Sequence, residues 1–303
     1  MSECHPKIRF RTEFGGYLVY EGLRLDFYMR RPHTEMARTV MRSLDTYVHA
    51  VGAENLGFYV DQEGDYQELD AEGWALNRRK LLEEPWPRVI LGDARPDSPE
   101  RCHFEYYGRR LDDPEWRGSD KYACVASFWL PTEYLEEHGP GRVRALALEL
   151  AAPLPLCSGN VGLAFLGAND VVGVTKEIRD QCFRYPGMDL PDVAFYSDNI
   201  GTRVRGPSWL TFLGQPVLGE LGGTAALRAR LRSPGTSVQE LEGERAVVTL
   251  GEWPEAGDME QGRTLPAYRE LARVLEPWLY DGTLGESEFR PEDRRRWERR
   301  FLE

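Results

Sequence analysis

The residues of this sequence that could carry chemistry are its histidines and cysteines, which supply nucleophiles and metal ligands. The five histidines never occur as H-x-H or H-E-x-x-H, the spacings that bring two imidazoles to one metal. Cys102 and His103 form an adjacent thiol–imidazole pair on a predicted strand, where neighbouring side chains point to opposite faces. They cannot easily share a metal or activate each other, so we predict structural roles for both.

The glycines, serines and lysines form no recognisable catalytic motif. No glycine precedes a lysine and no G-x-S-x-G occurs, which excludes a P-loop and a nucleophile elbow. A metal-dependent nuclease core usually needs an acidic residue two positions before a lysine, and none of the four lysines has one. We therefore predict a protein that is not an enzyme, with no catalytic residues, cofactor or metal. Scattered carboxylates leave no linear signature, so a carboxylate-dependent hydrolase stays an alternative.

Hydrophobic periodicity predicts the elements that must position any site. Alternation over residues 17–30 predicts extended structure with a bulge or turn at Gly22, and spacing of three and four residues predicts a helix from Thr34 to Val51. The further predicted strands cover 56–60, 102–107, 121–130, 160–166, 209–213 and a hairpin over 238–250. The further predicted helices cover 72–84, 140–152, 175–183, 216–221, 224–231 and 265–279.

The order of these elements predicts the fold class. Strands and helices do not alternate strictly, so a doubly wound parallel sheet is disfavoured. We predict an α+β fold with a mainly antiparallel mixed sheet flanked by helices. Without an internal repeat or a clear linker, we expect one domain over residues 1–303, either a single compact unit or two closely packed lobes that divide near residue 155. A charged helix over 288–303 ends the chain.

Composition indicates a globular protein with an acidic surface. The 38 basic and 50 acidic residues give a net charge of -12. This charge disfavours nucleic acid as a ligand and suits a basic partner. The five cysteines are widely spaced and odd in number, which favours reduced thiols. The first residues do not resemble a secretory signal and no segment is long and apolar enough to span a membrane, so we expect a cytoplasmic location.

Two charged segments remain, and the first of them is a candidate for binding. The first is an acidic run around Gly64 that looks like an exposed hairpin, with Tyr66 and Trp74 as aromatic anchors; a solvated surface is its alternative reading. The second is the C-terminal helix, where arginines alternate with acids and Trp297 and Phe301 are spaced to anchor it to the body. The acidic members of the first segment are Asp61, Glu63, Asp65, Glu68, Asp70 and Glu72.

A set of motifs in the second half of the chain resembles a known family. Gly159-Asn160-Val161-Gly162-Leu163-Ala164-Phe165 is followed by Arg184-Tyr185-Pro186-Gly187-Met188-Asp189, and then by Trp209-Leu210-Thr211-Phe212-Leu213-Gly214. In order and spacing these motifs resemble the bacterial type VI secretion immunity family associated with VRR-NUC nuclease toxins. The motif residues themselves look structural: Pro186-Gly187 suits a tight turn, and Trp209 with its neighbours suits a core. We therefore expect the partner-binding surface elsewhere.

The resemblance implies an immunity protein that binds and inhibits a cognate basic nuclease toxin and so protects the producing cell. Partners other than this toxin are not expected: no nucleic acid, membrane or small-molecule substrate. An effector chaperone or adaptor is the alternative, beside the hydrolase. The acidic run with Tyr66 and Trp74 is the first candidate surface, and a loop over 192–199 carrying Phe195, Tyr196 and Asp198 is the second.

Overall fold

The longest strand among the described residues is Tyr17–Met29. The computed structural model describes residues 5–93, 101–113, 120–167, 173–281 and 289–303. Leu23, Leu25 and Phe27 of this strand are fully buried. The strand continues without a break through Gly22, so of the bulge or turn predicted there the turn is wrong.

The elements of the described residues are numbered in chain order. The strands are β1 (Arg9–Arg11), β2 (Tyr17–Met29), β3 (Phe58–Val60), β4 (Tyr66–Glu68), β5 (Arg88–Gly92), β6 (His103–Tyr107), β7 (Cys124–Pro131), β8 (Ser158–Gly167), β9 (Leu210–Leu213), β10 (Thr236–Leu241) and β11 (Arg245–Leu250). The helices are α1 (His33–Val51), α2 (Ala71–Glu83), α3 (Thr132–Ala151), α4 (Val174–Glu177), α5 (Arg179–Arg184), α6 (Val193–Asn199), α7 (Val217–Glu220), α8 (Gly223–Arg230), α9 (Pro266–Leu275) and α10 (Pro291–Glu298).

Contacts divide the chain into two units. The first unit comprises residues 1–24, 158–192 and 203–303, and the second comprises residues 25–157 and 193–202. The strand order is β10-β11-β9-β8-β2 in the first unit, with β1 also paired to β2, and β2-β7-β6-β5-β3-β4 in the second. The two parts of β2 belong to different units. Neighbours such as β8–β9 and β6–β7 are antiparallel, so the predicted α+β class with a mainly antiparallel sheet and flanking helices is confirmed.

The core of the first unit lies between its strands and the helices that follow β9. Helix α9 places Tyr268, Leu271 and Leu275 on one buried face, as its spacing of three and four residues requires. Phe301, after α10, is buried against Tyr268 with the ring centroids 5.4 Å apart. Trp297 is also fully buried, so the predicted anchoring of the C-terminal helix by these two aromatic residues is confirmed.

The core of the second unit is a cluster of aromatic rings under helix α1. Phe128 of β7 packs against Phe27, Tyr47 and Phe104, with ring centroids 6.2, 5.2 and 5.1 Å away. Aromatic pairs at this separation add to the stability that area burial provides. Helix α1 ends where Gly52 adopts a φ of 86°, a conformation that a glycine reaches without strain.

Three short elements escaped the sequence prediction. Strands β1 and β5 were not predicted, and residues 192–199, predicted as a loop, contain helix α6 (Val193–Asn199). The helix forms because Val193, Tyr196 and Ser197 recur on one buried face that packs on β6 and β7. A segment of seven residues is too short for the helical period of its buried face to be recognised in the sequence.

No helix among the described residues has the length and apolar character needed to span a bilayer.

Candidate functional site

The acidic run folds as the hairpin that the sequence predicted. Strands β3 and β4 pair antiparallel, with Val60 opposite Tyr66 and Phe58 opposite Glu68, and the turn between them contains Gly64 at a φ of 93°. Strand β4 is the last in the strand order of its unit, and all three of its residues are exposed. We call residues 58–68 the acidic hairpin.

Two carboxylates of the acidic run hold local structure. Asp61 accepts hydrogen bonds from the amides of Glu63 and Asp65, at 3.0 and 2.9 Å, and from the side-chain amide of Gln67 at 2.7 Å. The bond from Gln67, followed by those from the backbone, lowers the pKa of Asp61 below its usual range. Asp70 caps α2 by accepting the Gly73 amide at 2.8 Å. These two residues therefore shape the surface, while other acids of the run face solvent.

The remaining acids of the run are exposed. Glu63, Asp65, Glu68 and Glu72 all lie on the surface, and Tyr66 is 74% exposed with its ring edge against Phe58 at 4.8 Å. A largely exposed aromatic ring fixed on a neighbouring ring and surrounded by carboxylates has the composition of a protein-binding anchor. The structure thus brings Tyr66 together with three of the predicted acids, Glu63, Asp65 and Glu68.

The two predicted aromatic anchors do not form one patch. Residues directly opposite in a hairpin share a face, so Tyr66 and Phe58 lie on one face and Tyr59 lies on the other. Helix α2 packs on the Tyr59 face, where a Cβ added at Gly73 would lie 3.0 Å from the Tyr59 ring. Trp74 belongs to this helix, is half-buried, and has the Arg78 guanidinium 5.7 Å from its ring centre. Trp74 therefore belongs to a surface different from that of Tyr66.

The second predicted group is divided by burial. Tyr196 is fully buried and packs edge-to-face on Tyr28 at 6.4 Å, so it supports helix α6 from within. Asp198 is half-exposed and forms an ion pair with Arg109 at 2.7 Å. Phe195 is half-buried beside Tyr196. Of these three residues, Asp198 and Phe195 have surface that a partner can reach.

Arg109, the ion-pair partner of Asp198, belongs to a cluster of residues that the sequence did not indicate. The Arg109 guanidinium lies 5.8 Å from the ring centres of both Trp86 and Tyr107 and 5.9 Å from that of Tyr122. It also donates to Ser197 Oγ at 2.8 Å. Trp86 is 47% exposed. Strand pairing and helix α6 bring together residues that are spread over 113 positions of the sequence. Residues so far apart form no linear motif.

The buried histidine and cysteine side chains, which could carry chemistry, are engaged by their neighbours in the fold. His33 lies between the Tyr106 hydroxyl at 2.8 Å and the Leu81 carbonyl at 2.9 Å, and burial lowers its pKa. His103 stacks on Trp129 at 4.2 Å and Cys102 is buried, so both residues of this pair have structural surroundings. The described residues contain no group of three or more acids, histidines or cysteines arranged to hold a metal.

The R-Y-P-G-M-D motif builds scaffold. Arg184 holds the buried carboxylate of Asp258 with two hydrogen bonds of 3.1 and 3.0 Å. The same two segments are also joined by the Gly187 amide, which donates to the Ala256 carbonyl at 2.8 Å. They lie so close that a Cβ added at Gly187 would be 2.1 Å from the Glu255 carbonyl oxygen. The Met188 amide closes the predicted turn on Tyr185 at 3.0 Å.

The last residue of this motif, Asp189, is the centre of a buried charge network. Arg205 binds its carboxylate through two hydrogen bonds of 2.8 and 2.7 Å, and Arg300 and Arg24 lie 3.6 and 3.9 Å away. Burial opposes ionisation, but the charges of Arg205, Arg300 and Arg24 hold the pKa of Asp189 well below its usual range. Burial lowers the pKa of Arg300 to about 10. Glu298 contributes a second carboxylate, 3.7 Å from Arg205.

Two cavities formed by the described residues do not have the lining that a hydrolase would need. A groove of about 610 Å³ is lined by arginines and apolar residues. A cavity of about 410 Å³ has one acidic residue, Asp293, in its lining. Asp293 is bound by Arg179 at 2.7 and 2.5 Å. Neither cavity brings two carboxylates face to face, which is the arrangement expected of a general acid and base.

Comparison with known proteins gives a match over most of the chain. A family model described as TsiV, type VI immunity for VRR-NUC, matches residues 39–301. The fold resembles the solved structure of the Pseudomonas aeruginosa T6SS protein PA0821, with a TM-score of 0.77 over 97% of this chain and 87% of that chain. The sequence identity is 20%, so this likeness shows the shared fold alone. Comparison with curated proteins gave no match.

Proposed function

We propose that this chain, which belongs to the TsiV family of type VI immunity proteins for VRR-NUC, binds a cognate VRR-NUC nuclease toxin and blocks its activity without catalysing a reaction itself. The family match over residues 39–301 is the observation that carries the proposal. The net charge of -12 supports a basic partner, because a nuclease needs a basic cleft to hold phosphates.

The acidic hairpin is the surface that we assign to the toxin. Glu63, Asp65 and Glu68 are exposed and surround Tyr66, whose ring is held against Phe58. Carboxylates placed in this way can compete with DNA for the basic cleft, while an aromatic ring supplies the desolvated contact that tight binding needs. Asp61 and Asp70 hold the hairpin and the start of α2 in shape through their backbone hydrogen bonds. Helix α6, with Phe195 and Asp198, is the second candidate contact.

Binding and inhibition can be measured with the purified chain and any VRR-NUC protein encoded by a neighbouring gene. We expect a complex by calorimetry and loss of plasmid cleavage at an equimolar ratio. A complex that leaves cleavage intact would instead support an effector chaperone or adaptor. Absence of a complex with any neighbouring VRR-NUC protein would reject the proposal.

The hairpin assignment has a matched control on another acidic hairpin. We expect the triple variant Glu63→Gln/Asp65→Asn/Glu68→Gln to bind the toxin at least about tenfold more weakly, because a tenfold change corresponds to about 1.4 kcal/mol. The control Glu240→Gln/Glu242→Gln/Glu244→Gln removes the same charge from exposed residues around the β10–β11 turn, and its affinity should change less than about twofold. Equal losses in both variants would place the effect in net charge and not in the acidic hairpin.

A further inference from the structure

A groove in the first unit has a charge opposite to that of the whole molecule. It lies at the ends of α8 and α9 and has a volume of about 610 Å³. The lining residues, which we call the arginine groove, are Ala229, Arg230, Arg232, Arg273, Val274, Pro277 and Trp278. Three basic and no acidic side chains line it, in a protein whose net charge is -12.

The guanidinium groups of the groove have no ion-pair partners among the described residues, although carboxylates lie nearby. The Glu270 carboxylate accepts the backbone amides of Arg232 and Ser233 at 3.0 and 2.9 Å. Glu276 pairs with Arg299 at 3.0 Å, and Glu220 accepts the indole N–H of Trp278. Glu276 and Glu220 are therefore engaged by other donors, while Glu270 is held by the backbone amide of Arg232 and lies close enough to interact with the charge of that residue. Arg230, Arg232 and Arg273 are exposed to solvent.

Stabilisation of helix ends does not explain the groove. A basic residue in the last turn of a helix interacts favourably with the helix dipole, and Arg228 goes further by donating to the Val238 carbonyl at 2.9 Å. Arg230 and Arg273 also occupy last turns, yet both line the same shallow groove as Arg232. The apolar part of that groove contains half-buried Val274 and Trp278, which pack against the core of the unit.

We infer that the arginine groove binds an acidic segment of a partner protein, in which carboxylates flank an apolar side chain. Arginine forks bind carboxylates through paired hydrogen bonds, and Trp278 with Val274 offers a surface for the apolar side chain. The net charge of the chain repels an extended polyanion, so a short peptide is a better fit than a nucleic acid. This inference concerns a surface other than the acidic hairpin and does not depend on the identity of the toxin.

Fluorescence anisotropy with a labelled peptide that alternates glutamate and leucine tests the inference in the absence of any toxin. We expect saturable binding to the full chain, and binding at least about tenfold weaker when glutamine replaces glutamate in the peptide. The variant Arg230→Glu/Arg273→Glu should lower the affinity for the glutamate peptide by at least about tenfold.

The matched control is Arg38→Glu/Arg42→Glu, which reverses two exposed arginines one turn apart on α1 in the second unit. Its affinity for the peptide should stay within about twofold of the parent, and circular dichroism should show that both variants are folded. Equal losses in both variants would overturn the inference, as would absence of binding at about 1 mM peptide. Arginine-dependent binding of a short oligothymidylate as tight as that of the peptide would also overturn it.

Discussion

At the scale of single residues, the network around Asp189 predicts a large effect of substitution on stability. Its carboxylate lies in the first unit among the guanidinium groups of Arg205, Arg300 and Arg24. Removing one partner from a buried ionic network leaves the others without their counter-charge, and this costs more than the loss of an exposed pair. The motif that indicates the family therefore ends in a residue on which the scaffold depends.

We expect Asp189→Asn to lower the free energy of unfolding by about 3–5 kcal/mol at neutral pH, measured by urea denaturation. The control Asp45→Asn removes an exposed carboxylate that pairs with Arg78 at 2.6 Å. This change should cost less than about 1 kcal/mol. A loss at Asp189 no larger than that at Asp45 would contradict the structural role of the network.

The pH dependence of the same variant follows from the lowered pKa of Asp189. A carboxyl whose pKa is lower in the folded than in the unfolded chain stabilises fully above its unfolded pKa of about 4, and this contribution is lost as the pH falls below it. The difference in unfolding free energy between the parent and Asp189→Asn should therefore shrink from pH 5 towards pH 2. A difference that stays constant over this range would be inconsistent with the ionised carboxylate in the folded protein.

At the scale of elements, long periodic segments were predictable, whereas only some of the short ones were. Helix α1 and the β10–β11 hairpin agree with the predictions within a few residues, because each carries several turns or a complete hairpin signal. Strand β5 and helix α6 have five and seven residues, and tertiary contacts determine their conformation. The family resemblance, drawn from the R-Y-P-G-M-D and W-L-T-F-L-G motifs, is confirmed by the match over residues 39–301.

The candidate site shows the same limit. The acidic run was visible in the sequence because its members are contiguous, and its hairpin conformation is confirmed. The separation of Tyr66 from Trp74 depends on which face of the hairpin α2 covers, and a one-dimensional pattern does not contain that information. The arginine groove joins residues from two helix ends through the fold of the first unit, so it too required the structure.

Helix α10 provides the prediction for an element. Trp297 is fully buried, its ring is edge-on to Phe183 at 6.1 Å, and the Arg300 guanidinium lies 3.9 Å from its centre. We expect Trp297→Ala to cost about 3–5 kcal/mol of unfolding free energy, because a large buried ring leaves a cavity. The exposed Arg295 on the same helix is the control, and Arg295→Ala should change stability by less than about 0.5 kcal/mol. Comparable effects of the two substitutions would contradict the anchoring of α10 by Trp297.

At the scale of the whole molecule, the net charge of -12 should govern how fast the proposed partner is found. Opposite net charges accelerate encounter at long range, and salt shortens that range from about 10 Å at 0.1 M to about 3 Å at 1 M. We therefore expect the association rate constant with the VRR-NUC toxin, which we propose to be basic, to fall at least about tenfold over this interval in stopped-flow measurements. The dissociation rate constant should change much less, because contacts formed after docking are shielded from salt. An association rate constant independent of salt would show that the acidic surface serves solubility and not recognition.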